Sequence, residues 1–197
     1  MKIGLYPDPS DERAAPVQPA AGVLGMKLFL LSLGMLFAAS IIGVLVVRSR
    51  AEQWPPAGSP GLPATLWLST VLLIVSSFTM AKALKAIRRD DRAGLSRWLL
   101  LTTALGIGFL ISQGASWLIL TGHGLLPHDS LFAFVFYVLT ALHGLHVVGG
   151  LIPMGITTER ASQRRYTAAS HAGVVYVSMY WHFLDVVWLI LFVLLKI

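Results

Sequence analysis

The sequence predicts an all-α membrane protein that crosses the bilayer with five helices. Of its 197 residues, 56% are hydrophobic and only 12% are charged, which is too apolar for one water-soluble globular domain. Five long apolar runs are each sufficient to cross a hydrocarbon core of about 30 Å, which takes about 20 helical residues. The chain has no cysteine, so disulfides, iron–sulfur clusters and thiolate metal sites are excluded.

Residues 1–22 precede the first apolar run and are expected to form a flexible polar tail. This segment is rich in proline and contains Asp8, Asp11 and Glu12. A secretory signal would combine a basic start with a short apolar core, whereas the run that follows here is too long for such a core. We therefore expect a retained tail and a five-helix membrane domain over residues 23–197.

The five predicted helices are separated by segments that do not favour a membrane helix. The first link is rich in proline and glycine, which interrupt helices, and the second is short and charged. The third link has neither lysine nor arginine, and the fourth is basic. No unit of about 20 to 50 residues repeats, which favours a bundle over a repeat array. The helices are expected over residues 23–47, 64–87, 97–120, 131–156 and 171–196.

The basic residues predict the orientation of the bundle. With five helices, the tail, the second link and the fourth link lie on one side of the membrane. Of the 15 lysines and arginines, all except Arg48, Arg50 and Lys196 fall on that side. Because basic residues concentrate on the cytoplasmic side, we expect a cytoplasmic N-terminus and an external C-terminus. The net charge of +6 then reflects these loops, and no basic stretch with interleaved aromatic residues indicates nucleic-acid binding.

A proline lies inside the fourth predicted helix. Pro153 has no N–H to donate to the carbonyl of Gly149. A kink is therefore expected beside Gly149 and Gly150.

Three pairs of polar residues lie inside the predicted helices. An unpaired polar group in lipid costs several kcal/mol, so each of these side chains needs a partner or a function. The members of each pair are three residues apart and therefore share a helix face. The pairs are Gln113 and Ser116, His143 and His146, and His182 and Asp185.

These residues allow three interpretations. Two histidines and a carboxylate could hold non-haem iron, and one histidine from each of two helices could hold haem. A proton relay centred on Asp185 and His182 is the second interpretation, because ionisable residues inside membranes often mark one. Hydrogen bonding between helices is the third, and it is favoured because no further ligand or supporting residue is recognisable. No nucleophile elbow, P-loop or dinucleotide fingerprint occurs.

The segments "FAFVFYVLTALHGLHVVGGLI" and "YWHFLDVVWLILFV" contain the two histidine motifs of the chain. They resemble two helices of subunit III of the haem–copper oxidases, the cytochrome c and quinol oxidases, in its short five-span bacterial form. Its middle helices are similar to "LPATLWLSTVLLIVSSFTMAKAL" and "LGIGFLISQGASW", and its first helix to "LGMKLFLLSLGMLFAA". The resemblance covers residues 24–197 in order.

The resemblance implies a non-catalytic accessory subunit of a respiratory terminal oxidase, which reduces oxygen to water and pumps protons. Haem and copper are then expected in the companion subunits I and II, with neither a cofactor nor a metal in this chain. The matching positions His143, His146, His182 and Asp185 are structural in the family. The resemblance also implies bound phospholipid in a cleft between the first helices and the rest, and a bacterial cytoplasmic membrane. It leaves open whether the electron donor is cytochrome c or quinol and whether the complex belongs to a supercomplex.

Two departures from the family pattern concern membrane carboxylates. Leu33 follows Ser32 where the family usually has a carboxylate, and Ser116 precedes Trp117 where it usually has glutamate. Roles that depend on these acids are therefore in doubt, whereas a scaffold role is retained. Two alternatives stay open at this point: an accessory subunit of a nitric oxide reductase, and a free-standing haem or metal protein.

Overall fold

Five long α-helices account for most of the chain in a computed structural model that describes residues 19–196. All five are long and apolar enough to cross a membrane, and the described residues contain no strand. This confirms the all-α fold class and the number of helices. The helices are α1 Pro19–Ser49, α2 Ala64–Arg88, α3 Arg92–Gly122, α4 Leu131–Ser162 and α5 Ala172–Lys196.

The predicted polar tail falls largely outside the described residues. Residues 1–18 belong to that outside part, and α1 begins at Pro19, so the last four residues of the predicted tail are helical. The division into a flexible tail and a membrane domain stays a prediction.

Helices α3 and α4, like α1, extend beyond the apolar runs that predicted them. Helix α3 begins at Arg92 because the Asp91 carboxylate caps it, accepting the backbone N–H of Gly94 at 2.8 Å. Helix α4 is capped in the same way by Ser130 and continues through polar residues to Ser162. Hydropathy marks the membrane part of a helix, whereas caps decide where the helix itself begins.

Helices α2 to α5 form a closed four-helix arrangement. Helix α2 packs on α3, α3 on α4, α4 on α5, and α5 returns to α2, while α1 lies outside against α5 and α4. The centre is filled by fully buried side chains, of which Trp181, Trp188, Phe109 and Phe136 are the largest aromatic ones. Helix α1 buries few residues and exposes large apolar ones along most of its length, as expected for a surface that lipid or another chain covers.

Contacts between the links place them at two ends of the bundle. The Asp90 carboxylate after α2 accepts the backbone N–H of Ala168 before α5 at 3.0 Å. At the other end, Trp54 of the first link packs on Phe132 at the start of α4, with ring centroids 5.2 Å apart. The two charged links therefore share one end, as predicted. The assignment of that end to the cytoplasm stays a prediction.

Close approach of helices α4 and α5 depends on a glycine. A Cβ atom at Gly150 would lie 2.6 Å from Cε1 of Tyr180, and Gly150 is buried. Gly106 of α3 leaves room for the indole ring of Trp181 from α5, since a Cβ at Gly106 would lie 2.7 Å from Cη2 of that ring. Helix α4 continues through Pro153, and the kink predicted beside Gly149 stays a prediction.

Candidate functional site

Hydroxyl and amide groups bind α3 to α2 near one end of the bundle. The hydroxyls of Thr65 and Ser116 are 2.7 Å apart, and Ser112 donates to the carbonyl of Thr65 at 2.8 Å. The Gln113 amide donates to Ser69 at 3.5 Å, while its own buried oxygen has no hydrogen-bond partner among the described residues. Gln113 and Ser116, singled out from the sequence, thus lie within a helix contact.

Two indoles bind α5 to α2. Trp181 donates to the hydroxyl of Ser76 at 3.0 Å, and Trp188 donates to the hydroxyl of Thr70 at 3.0 Å. All four side chains are buried. The sequence analysis missed these indoles, although their seven-residue spacing, close to two helical turns, places both on one face of α5.

His143 and His146 lie on neighbouring parts of α4 but meet different surroundings. His143 is fully buried, with its ring centroid 5.1 Å from that of Trp188 and 5.6 Å from that of Phe109. Neither of its ring nitrogens has a hydrogen-bond partner in the part of the chain that the structure covers. His146 is half-buried towards α1, where it packs on Phe37 and its Nδ1 lies 2.7 Å from the carbonyl oxygen of Leu142.

His182 and Asp185 lie together where α5 meets α2. The Nδ1 atom of His182 is 2.8 Å from the Ser77 hydroxyl and 3.7 Å from Oδ2 of Asp185. Asp185 is only 5% exposed, while the His182 side chain is 38% exposed. This pair therefore faces the outer seam of α2 and α5, away from the aromatic surroundings of His143.

The four ionisable residues do not converge on one point. Within residues 19–196, no three histidine, aspartate or glutamate side chains lie close enough together to hold a metal ion. His143 lies among the rings in the bundle centre, His146 faces α1, and the α5 pair faces α2. Two of the residues therefore pack on aromatic rings, and of the four only His182 makes a polar contact with another helix among the described residues.

A groove lies between α1, α4 and α5 at the end that carries the charged links. Its volume is about 500 Å³. Apolar side chains such as Met26, Phe29 and Ile156 line it, together with Pro153, and Arg160 lies at its charged end. Three tyrosines add hydroxyl groups to the same walls, namely Tyr166, Tyr176 and Tyr180.

Taken together, these features define a multi-pass helical membrane protein whose polar residues connect helices. The family model described as cytochrome c oxidase subunit III matches residues 14–197, and the chain belongs to this family. It is 39% identical to cytochrome c oxidase subunit 3 of Thermostichus vulcanus over 180 residues, which cover 91% of this chain and 88% of the relative. It is 42% identical to cytochrome c oxidase subunit 3 of Synechocystis sp. over 178 residues, covering 89% and 75%.

A third relative is more distant. The probable cytochrome c oxidase subunit 3 of Mycobacterium leprae is 36% identical over 170 residues, covering 86% of this chain and 84% of the relative. Membership in this family makes the chain a non-catalytic accessory subunit of a haem–copper oxidase, an oxidoreductase complex. The alternatives of a nitric oxide reductase subunit and a free-standing haem protein are not favoured.

Proposed function

We propose that this chain is subunit III of a respiratory oxidase in a bacterial cytoplasmic membrane, where it lies against catalytic subunit I and stabilises it beside subunit II. Family membership over residues 14–197 carries the proposal. The separate helix contacts of His143, His146, His182 and Asp185 support it, because they suit a scaffold. Haem and copper then belong to the companion subunits, and this chain holds no metal. The names of the relatives favour cytochrome c over quinol as the electron donor of the complex.

The proposal includes a bound phospholipid in the groove of α1, α4 and α5. The apolar walls around Phe29 and Ile156 suit acyl chains. Arg160 lies near the end of α4 and Tyr176 near the start of α5, at the depth where headgroups are found and where a cation attracts an anionic phosphate. The Tyr180 hydroxyl lies deeper, where it donates to the carbonyl of His146 at 2.9 Å. The apolar walls of the groove thus suit the acyl chains of a phospholipid, and its charged end suits the headgroup.

Purification of the tagged chain from its native membranes tests this function. In mild detergent, we expect the chain to bring down haem-bearing and copper-bearing subunits in a fixed ratio. The full chain purified alone should hold no stoichiometric haem, copper or iron by elemental analysis and optical spectroscopy. One metal per isolated chain, lost in a His143→Ala variant, would show instead that this chain is a redox protein.

A further inference from the structure

A recess opens halfway along the outer seam between α2 and α5. Its volume is about 220 Å³, and its apolar wall includes Phe78 and Val186, which are 66% and 56% exposed. Helix α1 packs on α4 and α5 and has no contact with α2, so no described helix of this chain covers the seam. The polar atoms of the recess come from Ser77, His182 and Asp185.

Asp185 gives this recess its chemical character. Its side chain is only 7% exposed and forms an ion pair with His182, yet neither carboxylate oxygen has a hydrogen-bond partner within residues 19–196. His182 Nδ1 is 3.7 Å away, beyond hydrogen-bond distance, and is already 2.8 Å from the Ser77 hydroxyl. Because a buried polar group without a hydrogen bond costs several kcal/mol, a donor from outside the described part of the chain is needed to complete the contact.

The depth of Asp185 restricts what that donor can be. Asp185 lies about 20 Å from the start of α5 and about 17 Å from its end, at a rise of about 1.5 Å per residue. Ser77 occupies the corresponding depth of α2, the helix Ala64–Arg88. Phospholipid headgroups lie at the two surfaces of a hydrocarbon core about 30 Å thick, so they do not reach this level. A donor at this depth belongs to another transmembrane helix.

We infer that a transmembrane helix of a companion oxidase subunit docks on the α2–α5 seam and donates a hydrogen bond to Asp185. The donor is a side-chain hydroxyl, amide, indole or ring N–H at the middle of that helix. This inference rests on the proposed function, because it requires assembly with companion subunits. Membrane helices associate through close packing and interhelical hydrogen bonds, and the exposed Phe78 and Val186 supply the packing around this bond.

A photo-crosslinking probe locates the docked helix. A benzoylphenylalanine is placed at Phe78 beside the recess, and in a second protein at Leu145 of α4, which is 68% exposed and also lies well inside its helix. In the intact complex, the probe at Phe78 should attach to a haem-bearing or copper-bearing subunit, and the probe at Leu145 should attach mainly to lipid. Attachment of the Phe78 probe only to lipid, or to a second copy of this chain, would refute the inference.

Substitutions at Asp185 test the hydrogen bond itself. Asp185→Leu should lower the haem recovered per chain about three- to tenfold after a stringent detergent wash, and Asp185→Asn, which keeps an acceptor, should lose less. The isolated full-length Asp185→Leu chain should unfold close to the wild-type temperature, because among the described residues the carboxylate accepts no hydrogen bond and has only the 3.7 Å contact with the partly exposed His182. Ser116→Ala is the control, since it removes the 2.7 Å hydrogen bond to Thr65 between α3 and α2 and should destabilise the isolated chain.

The outcomes separate this inference from the proposed function. The inference fails, although the proposed function stands, if wild type and Asp185→Leu recover the same amount of haem. It also fails if Asp185→Leu destabilises the isolated chain as much as it destabilises the complex. If wild type recovers no haem at all, the proposed function fails first, and the inference fails with it.

Discussion

At the scale of the residue, His143 is buried by aromatic packing and not by hydrogen bonding. The rings of Phe109 and Trp188 lie at centroid distances of 5.6 and 5.1 Å, in the range of favourable ring pairs. Both nitrogens of His143 lack partners among the described residues. The spacing of His143 and His146 predicted a common helix face, but it could not predict that one ring enters the core and the other packs towards α1.

This environment leads to a prediction for His143. Because no hydrogen bond is lost, His143→Leu, which is close in volume, should keep the free energy of unfolding of the chain within about 1.5 kcal/mol of wild type. His143→Ala should lower it by about 2–4 kcal/mol through the cavity it leaves. Reversible unfolding in mixed micelles measures both. Equal losses in the two variants would show that the ring nitrogens have a partner whose removal is costly.

At the scale of the element, hydrophobic runs predicted the five helices well because the bilayer demands long apolar segments whatever the packing. The helix ends were less predictable, since Asp91 starts α3 before its apolar run begins. The hydrogen-bond partners that join one helix to another were not predictable from the sequence. The hydrogen bond from Trp188 to Thr70 depends on how α2 and α5 are rotated relative to each other. The hydrophobic pattern of a single helix does not contain this information.

The contact between the two charged links makes a prediction about pH. Asp90, at φ 56°, accepts the N–H of Ala168, and this hydrogen bond, with help from Arg92, holds the pKa of the Asp90 carboxyl below its ordinary value of 3.8. A lowered pKa means that the ionised carboxylate favours the folded contact. The contact is therefore complete above pH 3.8 and is lost as the pH falls through the lowered pKa.

Hydrogen exchange of the segment 167–170 measures this contact. Wild type should be more protected than Asp90→Gly at neutral pH, and the difference should disappear in strong acid. Glycine tolerates the positive φ, so this variant removes the acceptor without backbone strain. Asp90→Asn is the matched control because it retains a neutral acceptor and should show no such pH dependence. Equal protection of all three proteins at neutral pH would show that the two links are not joined through this side chain.

At the scale of the whole molecule, the chain is a four-helix core with α1 on one side and uncovered seams on others. The structure shows the surroundings of the two positions where the family usually has carboxylates. Leu33 is buried on the inner side of α1, and Ser116 is bonded to Thr65 and to the carbonyl of Ser112. Neither position offers a group that can hold a proton for delivery. We therefore expect the chain to act on its complex through contact and lipid.

The last prediction tests whether this chain supports the oxidase reaction or carries out a step of it. If the chain braces the catalytic subunit and holds lipid beside it, an oxidase complex without this chain keeps its haem–copper chemistry. Oxygen consumption should begin at a near-normal rate and then decline faster over repeated turnovers than in the intact complex. Because the chain is expected to act through contact and lipid, restoring an acid by Leu33→Glu should bring no gain in the rate or the durability of oxygen consumption.

Oxygen consumption followed from the first seconds through many turnovers provides the measurement. The intact complex, the complex without this chain, and the complex rebuilt with added chain should be compared at equal haem content. Rebuilding should restore the durability of activity and leave the initial rate unchanged. Immediate and complete loss of activity on removal, with the catalytic subunits folded and fully loaded with haem, would mean that this chain carries out a step of the chemistry itself.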